Sequence, residues 1–432
     1  MKESYYNNYI EIEENVLIYN SFFNTYLLLN KNHNKILKKN FKTINNIKEC
    51  NKVLYQLLLD NGMIVNNEVN EIELYNNERI KRRFSSSHYD LMLNPTLDCN
   101  LNCWYCYEEH ISGSKMTNSI INRTIEHLKN KYKSEPFKTL TVSFFGGEPL
   151  LKTRSVVNPL IEQIINFANN NNIITDFGFT TNGTIITNDF LSLIKETSTN
   201  FQITIDGDKT THNKIRGFKN NKESNSYDII ISNIKKIVDK LNRYKITLRI
   251  NYDAKTLKNA HKIIDNLKFI PNSKLKYNLE KVWQEDIDNI DSNELKLLTE
   301  KINNEGYSVD VTELNRSDYV CYADNYNQAL INYDGSVFKC TARDFTKENA
   351  EGYLNDKGEI IWETERLTKR LYSKTPTICK ECKLLPSCPG ICTQSVIDDD
   401  DEDDNFCVIK EKGLTFEEFI FNNFENQFNN EK

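Results

Sequence analysis

Apolar residues recur with different periods along the chain, and the first change of period falls near residue 85. Up to that point, short runs of strand period surround one run of helical period that stops at Gly62. The candidate strands are YIEIEENVLIYN (9–20), TYLLLN (25–30) and MIV (63–65), and the candidate helix is NIKECNKVLYQLLLDNG (46–62). These elements predict a small winged-helix-like domain over residues 1–85.

From residue 86 to about 305, runs of strand length alternate with amphipathic runs of helix length. Candidate strands are YDLMLN (89–94), LTVSFF (140–145), DFGFTT (176–181), FQITID (201–206), ITLRINYD (246–253) and LKYNLEKV (275–282). Candidate helices are 119–133, 156–170, 189–197 and 227–244. Strands separated by helices imply right-handed crossovers and a parallel sheet. The pattern predicts an α/β fold with a partial (β/α)6 TIM-like barrel.

Polar side chains share one face of two of these strands. In FQITID (201–206), Gln202, Thr204 and Asp206 lie on the face opposite the apolar residues, and the strand at 246–253 repeats this arrangement. Polar rows on strands flanked by helices indicate a lumen that holds a polar ligand. Ligand sites in such sheets form at the carboxyl ends of the strands, where these residues lie.

Charge and hydropathy exclude several classes of protein. The 432 residues carry a net charge of −6 with lysines and acids interspersed, so the basic stripe of a nucleic-acid-binding protein is absent from the sequence. No apolar stretch has the length of a membrane span, and the N-terminus lacks the pattern of a secretory signal. We therefore expect a soluble, cytoplasmic protein with neither a nucleic-acid nor a membrane partner.

Eleven cysteines are clustered rather than spread, which in a reducing compartment favours metal binding over disulfides. Cys50 lies alone on a helical run and is interpreted as a buried thiol. Over residues 306–432, cysteine spacing replaces helical periodicity, which predicts a third, cysteine-rich domain.

Three cysteines follow the first strand of the predicted barrel with C-x3-C-x2-C spacing: Cys99, Cys103 and Cys106. Three thiolates on one short loop can reach three corners of a cubane iron–sulfur cluster and leave the fourth iron without a protein ligand. An iron with an open position can bind and activate a small molecule. The alternative is a zinc site with His110 as the fourth ligand.

This loop, with aromatic Tyr105 before the last cysteine, resembles the signature of the radical S-adenosylmethionine (SAM) superfamily. FFGGEPLL (144–151) resembles the Gly-Gly-Glu motif of that family, one strand downstream. TTNG (180–183) and TIDG (204–207) resemble its later strand ends. The resemblance covers the predicted barrel and identifies residues 86–305 as a radical SAM core.

The resemblance implies a [4Fe–4S] cluster on Cys99, Cys103 and Cys106 with SAM at its open iron. Reductive cleavage of SAM would give a 5′-deoxyadenosyl radical that takes hydrogen from the substrate. Its motifs imply these SAM-binding residues: Tyr105, Gly146, Gly147, Glu148, Asn182, Thr204, Asp206 and Arg216. No catalytic acid or base is identified by spacing.

Seven cysteines of the last domain resemble the SPASM extension of peptide-modifying radical SAM enzymes. The resemblance implies two auxiliary [4Fe–4S] clusters. One would be fully ligated, by Cys379, Cys382, Cys388 and Cys407. The other would be held by Cys321, Cys340 and Cys392 and keep a free iron that can bind a substrate group, because no further cysteine lies between Cys321 and Cys340. Without the resemblance, two zinc knuckles are the alternative.

The SPASM resemblance implies a precursor peptide as substrate and a reductant protein such as flavodoxin or ferredoxin. The main hypothesis is a maturase that crosslinks or otherwise modifies a ribosomally made peptide, with the domain at 1–85 as either a peptide recognition element or a structural cap. One alternative is an anaerobic sulfatase-maturing enzyme, which forms formylglycine. Such enzymes carry Asp after the cysteine matching Cys340, where this chain has Thr341. The other is a non-catalytic iron–sulfur or zinc-binding protein.

Overall fold

The computed structural model describes most of the chain. The described residues are 1–40, 44–220, 225–284, 290–311, 320–373, 375, 377–388, 390, 392–398, 407–411 and 414–429. The strands are β1 Lys2–Glu3, β2 Asn7–Ile12, β3 Asn15–Asn20, β4 Thr25–Leu29, β5 Ile64–Val65, β6 His88–Leu93, β7 Thr139–Phe144, β8 Ile174–Thr181, β9 Ser198–Thr204, β10 Tyr244–Tyr252, β11 Leu275–Lys281, β12 Ser308–Asp310, β13 Gln328–Ile331, β14 Ser336–Phe338, β15 Gly352–Leu354 and β16 Ile360–Trp362.

Helices connect most of these strands. They are α1 Lys31–Asn40, α2 Ile44–Cys50, α3 Lys52–Asp60, α4 Glu71–Arg83, α5 Asn118–Ser134, α6 Asn158–Asn170, α7 Asn188–Leu193, α8 Lys209–Ile215, α9 Ser226–Lys240, α10 Ala254–Ala260, α11 Lys262–Leu267, α12 Ser292–Asn304, α13 Thr364–Leu371, α14 Thr377–Lys380, α15 Thr393–Asp398, α16 Val408–Glu411 and α17 Phe416–Asn429.

The largest sheet has eleven strands in the order β12-β11-β10-β9-β8-β7-β6-β13-β14-β15-β16. From β6 to β12, neighbours in the sheet are neighbours in the chain and run parallel, with at least one helix in each connection. This arrangement confirms the predicted α/β fold with a partial (β/α)6 barrel. On the other side of β6, β13 is also parallel, and β14 to β16 continue antiparallel.

The core of this sheet is aromatic at its centre. Phe144, Phe179 and Phe201 occupy matched positions on β7, β8 and β9 and are almost fully buried. The rings of Phe144 and Phe179 stack with centroids 5.1 Å apart, and those of Phe179 and Phe201 with centroids 5.5 Å apart. Offset ring stacking of this kind adds to the free energy of burial and holds the strands in register.

Contacts between Cα atoms divide the chain into two compact units. The first, here the barrel unit, consists of residues 85–312, 322–369 and 428–432. The second, here the composite unit, consists of residues 1–84, 313–321 and 370–427. One division between the units falls between residues 84 and 85, and the predicted domain organisation remains a prediction. The residues of the predicted domain 306–432 are divided between both units, because β13 to β16 extend the barrel sheet.

The composite unit is built around β3, whose residues are buried on both faces. Val16 and Ile18 belong to a core formed with α1, α2 and α3. Leu17 and Tyr19, on the opposite face, belong to a core with residues of the C-terminal segment, including Leu384. A strand buried on both faces needs a covering layer on each side. The first and last segments of the chain therefore share one hydrophobic core.

Three predictions for the N-terminal segment were wrong in detail. Cys50, interpreted as a buried thiol, is exposed at the end of α2. The predicted strand 9–20 is the hairpin β2–β3, which turns where Glu13 adopts a φ of 53°. The predicted helix 46–62 is two helices, α2 and α3, separated at Asn51, whose side chain accepts a hydrogen bond from the Leu54 amide at 3.0 Å and so begins α3. The resulting three-stranded sheet with three helices on one face provides the elements of a winged-helix-like domain, which remains a prediction.

Across the described residues, none of the helices combines the length and apolar character that a membrane crossing requires.

Candidate functional site

The loop that carries the first three cysteines leaves the carboxyl end of β6 and is tied back onto itself. Thr96 Oγ1 donates to the Ser114 carbonyl at 2.6 Å, and the Leu97 amide donates to Ser114 Oγ at 2.9 Å. The Asp98 carboxylate accepts from the Gly113 amide at 2.9 Å. These bonds hold both ends of the loop, so the cysteines that follow Asp98 start from a fixed backbone.

Cys99, Cys103 and Cys106 line one cavity at the carboxyl ends of the barrel strands. Cys99 is buried, Cys103 is half-buried and Cys106 is exposed, with its sulfur 3.6 Å from His110 Nε2. Burial, and secondly the carboxylate of Glu148, raise the pKa of the Cys99 thiol to about 12. Because thiolates are the ligands of iron, metal binding at this site must release protons.

Gly146 and Gly147 lie directly behind the cysteine loop. A Cβ on Gly147 would lie 2.5 Å from the Asp98 carbonyl oxygen and 2.7 Å from that of Leu97. A Cβ on Gly146 would lie 2.6 Å from the Thr96 carbonyl oxygen, and its φ of 99° also disfavours a side chain. The two glycines therefore let the end of β7 pack against the backbone of the cysteine loop, while both still line the cavity.

Glu148 is fully buried and bonded to the elements on either side of it. Its amide donates to the Asp98 carbonyl at 2.8 Å, which ties it to the cysteine loop. Its carboxylate accepts from Thr181 Oγ1 at 2.8 Å and from the Asn182 amide at 2.7 Å, which ties it to the end of β8. Burial raises the pKa of Glu148 to about 6.

A second buried network joins the carboxyl ends of β9 and β10. Asp206 is inaccessible to solvent and accepts from the Tyr105 hydroxyl and, at 2.8 Å, from the Asn251 amide. Arg216 donates to the Tyr105 oxygen at 2.5 Å and lies 3.7 Å from the Asp206 carboxylate. Burial acts to lower the pKa of Arg216, but Cys103, Tyr105 and Asp206 together raise it well above its usual value. The arginine therefore brings a fixed positive charge to the cavity wall.

The sequence of the domain that contains these residues, 93–268, matches a known family. Residues 93–268 match the sequence profile of the radical SAM superfamily. This domain belongs to the radical SAM superfamily. Its geometry agrees with that membership, since the three cysteines follow β6 and line the cavity at the carboxyl ends of the strands.

Individual relatives support the same assignment. A cysteine-type anaerobic sulfatase-maturating enzyme of Clostridium novyi (strain NT) is 33% identical over 159 residues, which cover 35% of this chain and 40% of the relative. The radical SAM cyclopropyl synthase TigE of Paramaledivibacter caminithermalis is 27% identical over 209 residues, 41% of this chain and 43% of the relative. This chain thus matches less than half the length of these curated relatives.

A solved structure shares the fold over a longer stretch. The crystal structure of Streptococcus suis SuiB bound to precursor peptide SuiA superposes with a TM-score of 0.53 and 13% identity. The superposition covers 96% of this chain and 100% of the SuiB chain. At this identity the likeness establishes a shared fold.

Most residues predicted from the radical SAM motifs line the cavity: Tyr105, Gly146, Gly147, Asn182, Thr204 and Arg216. Glu148 and Asp206 do not, because both side chains are fully buried behind it and their oxygens are used by Thr181, Asn182, Tyr105 and Asn251. The motifs located both residues in the sequence but did not show that their side chains are buried. The two carboxylates position neighbours that do line the cavity.

Glu108 is a cavity residue that the sequence reasoning missed. It lines the same cavity as the three cysteines, and its Oε2 atom is buried with no hydrogen-bond partner. Burial, and secondly the nearby Asp344, raise its pKa to about 8. Its position two residues after Cys106 was the available signal, since a chain held by cluster ligands must stay close to them.

Two stacked aromatic side chains line the cavity that contains the three thiols. Tyr107 and Trp283 stack with ring centroids 4.9 Å apart, and both line the cavity. Gln284 donates to the Tyr105 carbonyl at 3.2 Å. This bond joins the end of β11 to the cysteine loop.

The donor set fits an iron–sulfur cluster better than a single metal ion. In the part of the chain that the structure describes, no group of three His, Cys, Asp or Glu side chains is close enough together to hold one ion. The three thiols instead surround a cavity, as ligands of a cluster several ångströms across must.

Four more cysteines line a second cavity, within the composite unit: Cys379, Cys382, Cys388 and Cys407. Apolar side chains such as Leu385, Ile409 and Phe416 form much of its wall. Burial raises the pKa of Cys388 to about 12 and also raises that of Cys382.

The three remaining cysteines of the predicted SPASM extension differ in exposure. Cys340 is buried in the barrel unit, where its sulfur accepts from the Ala342 amide at 3.3 Å. Cys321 is half-buried and Cys392 is exposed, and both belong to the composite unit. The prediction that these three hold a second auxiliary cluster continues to rest on the resemblance.

Proposed function

We propose that this chain is a radical SAM maturase that cleaves SAM reductively and modifies, by crosslinking or another change, a ribosomally made peptide. The observation that carries the proposal is the cavity in which three thiols face a wall of polar side chains at the carboxyl ends of the barrel strands. The thiols on one side could bind an iron–sulfur cluster, and the fixed polar groups on the other side could bind the charged nucleoside SAM.

Cys99, Cys103 and Cys106 would hold a [4Fe–4S] cluster with one iron open to SAM. The chemistry that the two groups supply when bound is one-electron cleavage of SAM to a 5′-deoxyadenosyl radical, which takes hydrogen from substrate. Gly146 and Gly147, which line the cavity, would present backbone to the amino acid end of SAM. Thr204 and Arg216, which line it as well, would hold the hydroxyl and carboxylate groups of SAM. The buried positive charge of Arg216 favours a carboxylate at that place.

The residues around the cavity orient ligands and exclude water. Tyr105 is fixed by bonds to Asp206, Arg216 and Asn251, so its ring cannot rotate away from the cavity without breaking them. Tyr107 and Trp283 cover the outer part of the site.

A peptide substrate is supported by two observations. SuiB, which shares the fold, has been crystallised with a precursor peptide. In the composite unit, β4 pairs with β3 along one edge, and no partner strand lies on its other edge among the described residues. Leu28 on β4 is 59% exposed. An open strand edge with an exposed apolar side chain suits the addition of a peptide as a further strand.

Two auxiliary [4Fe–4S] clusters complete the proposal. Cys379, Cys382, Cys388 and Cys407 would ligate one fully, since all four line one cavity with apolar walls. Cys321, Cys340 and Cys392 would hold the other, with one iron free to bind a substrate group. Because reductive cleavage consumes an electron from outside, a protein such as flavodoxin or ferredoxin would supply it.

Sulfatase maturation is the second candidate function. The Clostridium novyi relative, 33% identical over 159 residues, carries that activity in its name. Thr341 stands where such enzymes have Asp, and its hydroxyl is bonded to the Tyr322 hydroxyl at 2.7 Å. A threonine cannot serve as a carboxylate base, so the peptide-modifying function is favoured.

The test is formation of 5′-deoxyadenosine by the anaerobically reconstituted, reduced chain supplied with SAM. We expect formation by the native chain and none by a variant with Cys99, Cys103 and Cys106 replaced by Ala. A reconstituted native chain that binds iron but forms no 5′-deoxyadenosine would show a non-catalytic iron–sulfur protein. Formation of formylglycine, detected by hydrazide labelling of a sulfatase-derived cysteine peptide, would favour the second candidate.

A further inference from the structure

Asn182 is placed against Cys99 by a network that leaves its amide one orientation. Its Nδ2 atom lies 3.8 Å from Cys99 Sγ and donates to Asn100 Oδ1 at 2.8 Å. Its Oδ1 atom accepts from the Thr184 amide at 2.9 Å and from Thr184 Oγ1 at 2.7 Å. A backbone amide can only donate, so the atom facing Thr184 must be the oxygen. The NH2 group therefore faces the cysteine loop.

The two hydrogens of this NH2 group have two acceptors. One is taken by Asn100 Oδ1, and Cys99 Sγ is the acceptor that remains. Asn100 Nδ2 donates in turn to Thr184 Oγ1 at 2.9 Å, which closes a ring of hydrogen bonds through the three side chains. Asn182 and Cys99 are 6% and 8% exposed, so water competes little for either group.

Glu148 fixes both partners of this contact. Its carboxylate accepts from the Asn182 amide, and its own amide donates to the carbonyl of Asp98, the residue before Cys99. The separation between Asn182 and Cys99 is thus set by a side chain buried behind both. A contact supported in this way is preorganised for a thiolate at Cys99.

We propose that Asn182 is a positioning residue that donates an N–H···S hydrogen bond to Cys99 and thereby raises the reduction potential of the cluster bound there. The inference rests on the proposed cluster at Cys99, Cys103 and Cys106. The reduced cluster carries one more negative charge than the oxidised one, part of it on the ligand sulfurs. A donor to sulfur stabilises the reduced form more, which makes the cluster easier to reduce.

Asn182→Ala tests this by an anaerobic redox titration followed by electron paramagnetic resonance. The signal to follow is the one absent from the variant with Cys99, Cys103 and Cys106 replaced by Ala, which separates it from any auxiliary cluster. We expect its midpoint potential to become more negative in Asn182→Ala while the other signals titrate as in the native chain. Asn182→Asp keeps the size of the side chain but replaces the donor by an acceptor, so a larger shift in the same direction is expected.

Asn233→Ala is the matched control. Asn233 donates to the Gly183 carbonyl at 2.9 Å, so it anchors the same loop through a bond that does not involve Cys99. Its removal should leave the midpoint potential of the followed signal unchanged. Equal potentials in the native chain and both Asn182 variants, or an equal shift in Asn233→Ala, would overturn the inference although the cluster is present. A native chain with no such signal would instead overturn the proposed function itself, and this inference with it.

Discussion

Gly147→Ala should damage the cluster site because the new methyl group has no space. The Cβ would lie 2.5 Å from the Asp98 carbonyl oxygen and 2.7 Å from that of Leu97, so the two backbones must separate by roughly 1 Å. Overpacking of this kind costs about 1–3 kcal/mol. The movement also breaks the 2.8 Å bond from the Glu148 amide to the Asp98 carbonyl, worth about 1 kcal/mol. The expected loss in the free energy of unfolding is about 2–4 kcal/mol.

Thermal unfolding measures this loss of stability, and iron uptake measures the damage to the cluster site. In a unit of this size the loss lowers the melting temperature by roughly 5–15 °C. Because Cys99 directly follows the displaced Asp98, iron uptake at the site should also fall. Gly113→Ala is the control: its φ of 74° brings backbone strain, but nothing lies within 4 Å of its Cβ position. If Gly147→Ala melted with the native chain and took up the same iron, the close packing of glycine against the loop would be disproved.

Three further predictions concern other parts of the molecule. His127 is buried between the Tyr89 hydroxyl at 2.6 Å and the Gly358 carbonyl at 3.3 Å, and burial lowers its pKa to about 4. The unfolded chain then binds the proton more readily, so the free energy of unfolding should fall by about 3 kcal/mol as the pH drops from about 6.5 to 4. Urea titrations should show this pH dependence reduced in His127→Gln, and an unchanged dependence would refute it. Cys388→Ala should lower iron content by roughly a third, the share of one of the three proposed clusters. Amide hydrogen exchange in β2 and β3 should become faster as well, because Cys388 packs against the core that these strands form. Exchange as slow as in the native chain would show that the stability of these strands does not depend on the second cavity. Phe179→Ala removes the ring between two stacked neighbours and should cost about 3–5 kcal/mol by urea denaturation, and a cost under about 1 kcal/mol would mean that the barrel core repacks.

The sequence was most informative where periodicity or spacing carries the signal. The barrel strands were located to within a few residues because their apolar faces repeat every second position. The three cysteines that line the first cavity were found from their spacing. The burial of individual side chains was harder to predict from the sequence. Glu148 and Asp206 remain predicted SAM-binding residues, but the sequence did not reveal that both are fully buried and bonded to neighbouring strand ends. Which atoms are buried depends on residues from distant strands.

Partnerships between distant segments could not be predicted either. The alternation in β3 indicates that the strand has two faces, but not that Leu17 and Tyr19 pack with Leu384 and Phe419. Helical periodicity likewise did not reveal the break at Asn51, because the apolar positions of α2 and α3 continue one pattern across it. A hydrophobic pattern shows which face of a strand or helix is buried. It does not show which other segment of the chain covers that face.

The order in which the chain is synthesised has a consequence for β3. Leu17 and Tyr19 leave the ribosome more than 300 residues before Leu384, so one apolar face of the strand waits roughly 20–70 s for its covering layer. The barrel can fold in that interval, whereas the N-terminal sheet keeps one apolar face exposed and is prone to aggregation.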